Sequence, residues 1–358
     1  MAIRTRAAIW LGIAAFILVF LAFLSDILLP FVAGMAVAYF LDPVADRLEK
    51  WGCSRTLATT LITLGFILIS AGIIVFVVPL LYGQIIDFLR RLPEYVATIR
   101  TDVLPAVQQW LAGLDPSQVD RAETLIAGFS ERAVNFMINV LGGIWRSGLG
   151  LVNLLALVFI TPVVTFYLLR DWDRIVTKVD SWLPRDHAPV IREQLLQIHF
   201  TLAAFVRGQG IICLILSIFY GITLTVIGLD FGLVIGIAAG LVSWIPYVGS
   251  IGGLAVSVGL AALQYPDAFH IGLVAGVFIL GQLVADYFLT PKLLGKRVRL
   301  HPVWIIFAML AGGSLFGFVG LMLSVPLAAV IGVLARFSIS RYMESPLYHG
   351  GSDGPGDA

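Results

Sequence analysis

Eight stretches of this chain are almost free of charge and long enough to reach deep into a bilayer, at residues 7 to 24, 27 to 41, 57 to 81, 149 to 169, 203 to 229, 231 to 264, 268 to 290 and 303 to 336. A hydrocarbon core about 30 Å thick is crossed by roughly twenty helical residues. No water is present there to satisfy backbone amides, so each stretch must pair its own, and the alternating ten-residue segments of a β-barrel are absent. The composition agrees, with 59% hydrophobic and 13% charged residues, against roughly 25% charged in an ordinary soluble domain. Mean hydropathy is +0.97. The expected fold is all-α, a polytopic membrane helical bundle. It should have about six full spans plus two Gly/Pro-broken hairpins and a small amphipathic helical extramembrane region.

The net charge of +1 gives no global field for nucleic acid or an acidic partner. Cys53 and Cys213 form no disulfide framework. Arg4 and Arg6 precede the first apolar stretch, which lacks a small-residue cleavage site and reads as a retained signal anchor. Orientation follows from lysine and arginine at the span ends. Arg47, Lys50 and Arg55, then Arg170, Arg174, Lys178, Arg185 and Arg192, then Lys292, Lys296, Arg297 and Arg299, and finally Arg336 and Arg341 all fall on one side. That side is read as the cytoplasm, with both termini in it, for a multi-pass membrane protein. The expected divisions are 1–81 (three N-terminal helices), 82–148 (extracytoplasmic amphipathic helices) and 149–202 (fourth span and cytoplasmic linker). After them come 203–343 (a C-terminal transport core) and 344–358 (a disordered glycine-rich tail). In 82–148 the apolar stripes are Ile85, Phe88, Leu89 and Leu92, then Val134, Met137, Ile138 and Leu141.

Counting crossings between the basic loops makes 231–264 and 303–336 enter the membrane and return on the same side. Each limb is about fifteen residues, short of an upright span. Both are interrupted near the middle, at WIPYVGSIGG (Trp244 to Gly253) and AGGSLFGFVG (Ala311 to Gly320). Non-helical backbone at membrane depth survives only where protein or a water-filled cavity covers it. Two helix-plus-hairpin units, 203–264 and 268–336, would form an inverted repeat of the kind that brackets a transporter's substrate site. The plainer reading is that glycine permits close helix packing, and for Gly232, Gly236 and Gly240, spaced by four, it is the better one.

The substrate-pathway candidates are Asp286 and Gln282, one helical turn apart in the run from Ala268 to Thr290. With them stand Ser243, Trp244, Pro246, Tyr247 and Ser250 at the first break, where hydroxyls and aromatics either suit a small polar solute or form a purely structural hinge. Arg207 and Gln209 open the fifth run, where the arginine either snorkels to the interface or meets substrate. Asp286 either binds a proton or sodium ion or pairs with Lys292 or Arg297. Gly249, Gly252, Gly253, Gly312, Gly317 and Gly320 are read as hairpin-shaping. Asp42-Pro43 and Arg170-Asp171-Trp172-Asp173 are read as helix caps and interface anchors. None of the five histidines has a metal-ligand partner at useful spacing.

The stretch from WIPYVGSIGG through LTPKLLG (Leu289 to Gly295) to LHPVWIIFAMLAGGSLFGFVGLMLSVPLAAVIGVL (Leu300 to Leu334) resembles the autoinducer-2 exporter, or permease-like, family. PVVTFYLLRDWDRI (Pro162 to Ile175) and YFLDPVADRLEKWG (Tyr39 to Gly52) resemble it too, so nearly the whole chain is covered. The resemblance implies a membrane transport protein of the bacterial inner membrane, in some members tied to export of a furanosyl quorum-sensing signal and in others to sodium or proton antiport. It also implies a homo-oligomer, a pentamer in particular. It carries over Pro291, Gly313, Ser314 and Pro326 as motif positions that shape the second hairpin. Before LTPKLLG the family carries an acid and an asparagine. Here the chain reads Ala285, Asp286, Tyr287, which keeps the acid and lacks the asparagine.

No HExxH, Walker lysine or dinucleotide glycine loop is present, so the sequence offers none of these enzyme motifs and no cofactor site. A secondary transporter or exporter of small molecules is the expected function. An uncoupled channel and a non-transporting scaffold are the alternatives.

Overall fold

The computed structural model describes residues 24–98, 148–265, 267–295 and 300–345, with isolated positions 12, 16, 20, 101 and 348. Among these residues the order is α1 (Ser25–Lys50), α2 (Arg55–Thr98), α3 (Gly148–Ser181), α4 (Ala188–Ile227), α5 (Gly232–Val242), α6 (Val248–Gln264) and α7 (Ala268–Val284). A π turn follows (Ala285–Leu289), then α8 (Thr290–Leu293) and α9 (Pro302–Met343). No strand occurs among them. The stripe at Val134 to Leu141 and the basic run at 296–299 lie outside the described residues, as does most of the first apolar stretch and of the tail.

The helix ends follow local chemistry. Gly52, with φ +96°, ends α1 as only glycine does without strain. The Ser54 hydroxyl accepts the Leu57 amide to open α2. Gly228, at φ +83°, ends α4, Asp267 caps α7 by accepting the His270 amide, and Pro302 follows the His301 cap of α9. A forked pair of 2.5 and 2.8 Å from Arg192 to Asp180 joins the ends of α3 and α4.

Five described helices are long and apolar enough to cross a membrane: 27–50, 55–76, 188–227, 268–293 and 302–343. Their outer faces are apolar, with Phe76 78% and Val226 80% exposed, as expected where lipid is the solvent. Four of the five match expected full spans. The fifth is the second expected hairpin, because α9 reverses at Gly317, whose φ 58° and ψ −136° are not helical. A Cβ on Gly312 would lie 2.6 Å from the carbonyl oxygen of Gly320, and one on Gly332 would lie 3.4 Å from Leu300. Eight residues of straight helix span about 12 Å, so these approaches require two antiparallel limbs, 302–316 and 318–343. Gly317→Ala should be poorly tolerated, since that backbone region is open essentially to glycine alone at a cost of about 1–3 kcal/mol for other residues. A lowered thermal midpoint of the detergent-solubilised protein is the expected result.

The chain forms two compact units, residues 1–62, 163–212 and 286–358 in one, and 63–162 and 213–285 in the other. The first has its core at Ala38, Ala45, Ile62 and Leu169. In the second, α5 packs on α4 with the two backbones touching. A Cβ on Gly232 would lie 2.8 Å from the carbonyl carbon of Leu224, while Cβ atoms on Gly236 and Gly240 would overlap the backbone at Gly221 and Ser217. Close packing is therefore what the four-residue glycine spacing does. Gly253 repeats it between α6 and its neighbours, 2.6 Å from both Ala239 and Phe278 for an added Cβ, and the Phe278 ring stacks on Tyr220 at 4.5 Å.

Candidate functional site

At the first break, α5 stops at Val242 and α6 starts at Val248. The intervening amides are satisfied by short turns, Trp244 to the Leu241 carbonyl at 3.1 Å and Ile245 to that of Val242 at 2.9 Å. The Ser243 hydroxyl donates to its own helix at Ala239, 2.8 Å, and that of Ser250 to Tyr247, 3.4 Å. Trp244 and Pro246 are half-buried and Tyr247 is exposed, while Ile245 pins the turn into the interior. Gly249 is buried against Ser243, whereas Gly252 has no atom within 4 Å of an added Cβ. Gly252 therefore shapes nothing by packing, unlike Gly249 and Gly253.

In the second hairpin Gly312, Gly313 and Gly320 lie where the limbs cross. Ser314 is exposed and bonds back to Ala311 at 3.0 Å, and Pro326 is buried. Pro291 begins the short α8 from an exposed position. Gln282 is half-buried within α7, but Asp286 is exposed and falls in the π turn. The widened turn begins at Ala285, between the two positions. Gln209 is half-buried on α4.

Arg207 is part of a charge cluster in the first unit, which sequence reading did not assemble. Its Nε donates to the Tyr39 carbonyl at 2.8 Å and its Nη2 to Asp42 at 3.1 Å. That carbonyl is available because the residue four positions on is Pro43, which has no N–H to offer it. Asp42 also accepts from Arg55 at 3.2 Å, and the same arginine reaches Asp46 and Glu49, both at 2.9 Å, and the Leu169 carbonyl at 2.9 Å. Two arginines thus join α1 to α2, α3 and α4. Asp42-Pro43 therefore does not cap a helix: α1 continues to Lys50, and α3 likewise runs through Arg170 to Asp173 as far as Ser181. The signal was present in the sequence, since Asp42, Asp46 and Glu49 recur at helical spacing on one face. Beside the cluster a half-open cleft, about 310 Å³ counting its mouth, is lined by residues including Met35, Tyr39, Leu168, Trp172 and His199. Tyr39 meets Trp172 edge-on at 5.8 Å and His199 at 5.6 Å.

In the second unit the base of the first hairpin is stapled. The Asp230 amide donates to the Gln264 side chain at 2.8 Å, and Gln264 donates to the Gly228 carbonyl at 2.8 Å. The Tyr265 hydroxyl donates to Ile227 at 3.1 Å, and Arg91 pairs with Asp230 at 2.7 Å. Among the described residues no group of three His, Cys, Asp or Glu side chains is placed to hold a metal.

Long apolar helices, two reversed hairpins and an Asp-Pro that recruits an arginine are now located on one chain. The model of the AI-2E family transporter matches residues 11–338. The chain belongs to the AI-2E transporter family. Its relatives in that family span nearly its whole length. "Putative transport protein YueF" of Bacillus subtilis is 29% identical over 317 residues, 87% of this chain and 84% of the relative. "Putative permease PerM" of Escherichia coli K12 is 24% identical over 319 residues, 89% of each. "AI-2 transport protein TqsA" of the same strain is 25% identical over 332 residues, 91% of this chain and 90% of the relative. The AI-2E family is one of transport proteins, and this member is a multi-pass membrane protein.

Proposed function

We propose that the chain carries a small polar solute across the bacterial inner membrane as a secondary transporter, with its two broken hairpins as the moving parts. The observation that carries this reading is the first hairpin. Helices of 11 and 17 residues are about 17 and 26 Å long, each short of the hydrocarbon core, and they meet at a non-helical turn bearing Ser243, Trp244, Pro246, Tyr247 and Ser250. Interrupted helices of this kind bring backbone and side-chain polar groups to mid-membrane, where transporters bind their solutes.

AI-2, the solute named for TqsA, is the first substrate to test, and export the first direction. Asp286, exposed in its π turn, is the proposed proton or sodium carrier, with Gln282 beside it in sequence on the pathway. Both termini face the cytoplasm in this reading, 203–343 forms the transport core, and the working unit is a homo-oligomer.

The test is uptake and efflux in liposomes holding the purified protein, with AI-2 and imposed proton or sodium gradients, comparing wild type with Asp286→Asn. Saturable, gradient-dependent flux reduced at least about tenfold in the variant is expected, as for loss of an ionisable group within a membrane pathway. Equal flux in the two proteins removes Asp286 from the mechanism. Uncoupled, weakly saturable flux makes the protein a channel, and no flux for any solute makes it a scaffold.

A further inference from the structure

Among the described residues only two non-glycine positions have positive φ: Phe231, at φ 60° and ψ 13°, and Tyr247, at φ 67° and ψ −28°. Both are bulky aromatics, in which a left-handed backbone is a true outlier. They immediately precede α5 and α6, Phe231 at the start of α5 and Tyr247 at the far side of the turn that follows it. The segment is rich in glycine, with Gly228, Gly232, Gly249, Gly252 and Gly253 close by, yet glycine does not occupy the two positions that need it.

The surroundings hold each residue in its strained state. Before Phe231, Leu229 is buried and the Asp230 amide is bound to Gln264; after it, Gly232 is pressed on the Leu224 backbone. Before Tyr247, Ile245 is buried; after it, Gly249 is pressed on Ser243. Strain of this sort persists only where neighbours over-determine it, and it gathers at switching elements. The face that α5 turns to α4 carries Gly232, Gly236 and Gly240, with the side chains of Leu233 and Ile237 beside them over Gly221. A hydrogen bond from the Ser217 hydroxyl to the Ile237 carbonyl, 3.3 Å, crosses it, so that bond and the close backbone contact are what a shift of α5 along α4 has to break.

We infer that α5 is a two-hinged switching segment, held in a strained position by left-handed Phe231 and Tyr247 and released when those residues relax. This deepens the reading of the first hairpin as a moving part of a transporter. It assigns the motion to one 11-residue helix and the drive to two named backbone positions.

The test is amide hydrogen exchange across α5 for the full-length protein in lipid nanodiscs, with each aromatic replaced by glycine and, separately, by alanine. Both replacements remove the ring, but only glycine accepts the left-handed backbone without strain. Exchange in α5 about fivefold or more slower in Phe231→Gly than in Phe231→Ala is expected, and likewise for Tyr247→Gly against Tyr247→Ala, in line with the cost of this conformation for a side-chain-bearing residue. Equal exchange in each pair, or faster exchange with glycine, overturns the inference. Flux is not read in this comparison, so an absence of transport in liposomes sinks the transporter reading and leaves the outcome for α5 to stand by itself.

Discussion

Gly236→Ala should destabilise the protein by about 3 kcal/mol, at the upper end of what overpacking costs, and Gly236→Leu should give no folded protein. An added Cβ at Gly236 meets Gly221 and Tyr220 at their backbone atoms, which no rotamer change can move. The helices would have to part, and the crossings at Gly232 and Gly240 would open with them. The close backbone approach that holds such interfaces together in lipid would be lost along the whole of α5. Gly252→Ala is the matched control. It has nothing within 4 Å and should leave the thermal midpoint unchanged or slightly raised, as alanine is the better helix former. The comparison is read from thermal unfolding and from the monodisperse fraction on size exclusion. Equal behaviour of the two variants would mean that α5 does not rest on α4 as described.

Arg55→Ala should also be severe, costing about 2–4 kcal/mol. Deleting one partner of a buried ion pair costs about 3–5 kcal/mol because the other charge stays behind uncompensated. Here the arginine side chain is only 17% exposed, but Asp46 is 52% exposed and solvent offsets part of its loss. Asp42 keeps Arg207 at 3.1 Å, so the remaining damage falls chiefly on Glu49 and on the link to α3 at Leu169. Arg55→Lys should be intermediate: it keeps the charge but cannot reach three carboxylates and a carbonyl as one planar fork does. Removing Asp42 and Arg207 together should cost less than the two single changes added, since they are bonded to each other. Chemical or thermal unfolding of the set would show this, and additive losses would make the two residues independent of one another.

Much of the scaffold was legible because lipid leaves few choices. Apolar stretches must be helices, and the WIPY break and the glycine run after Ala311 located both hairpin turns. Glycines spaced by four announced a close crossing. The charge cluster was not assembled, since Arg207 meets partners 165 and 168 residues away and hydropathy ended the second apolar stretch at residue 41. The face shared by Asp42, Asp46 and Glu49 becomes visible only once the helix is allowed to run on. The π turn at Ala285–Leu289 was not legible, because the sequence carries a spacing but not a local widening of the helix. The strained backbone at Phe231 and Tyr247 was invisible for a simpler reason. Residue type argues against it, and only the packed context imposes it.

The pairing of Arg207 with both Tyr39 and Asp42 bears on how the protein is made. Synthesis proceeds from the N-terminus, so the helix carrying the Asp-Pro step is laid down 165 residues before the arginine that needs it. A lone guanidinium entering the bilayer edge is costly, whereas here it arrives to find a freed carbonyl and a carboxylate already in place. The early helix thus acts as a receiving dock for the later one, and a chain in which α1 is mis-inserted would bring in Arg207 without the carbonyl and carboxylate that receive it here.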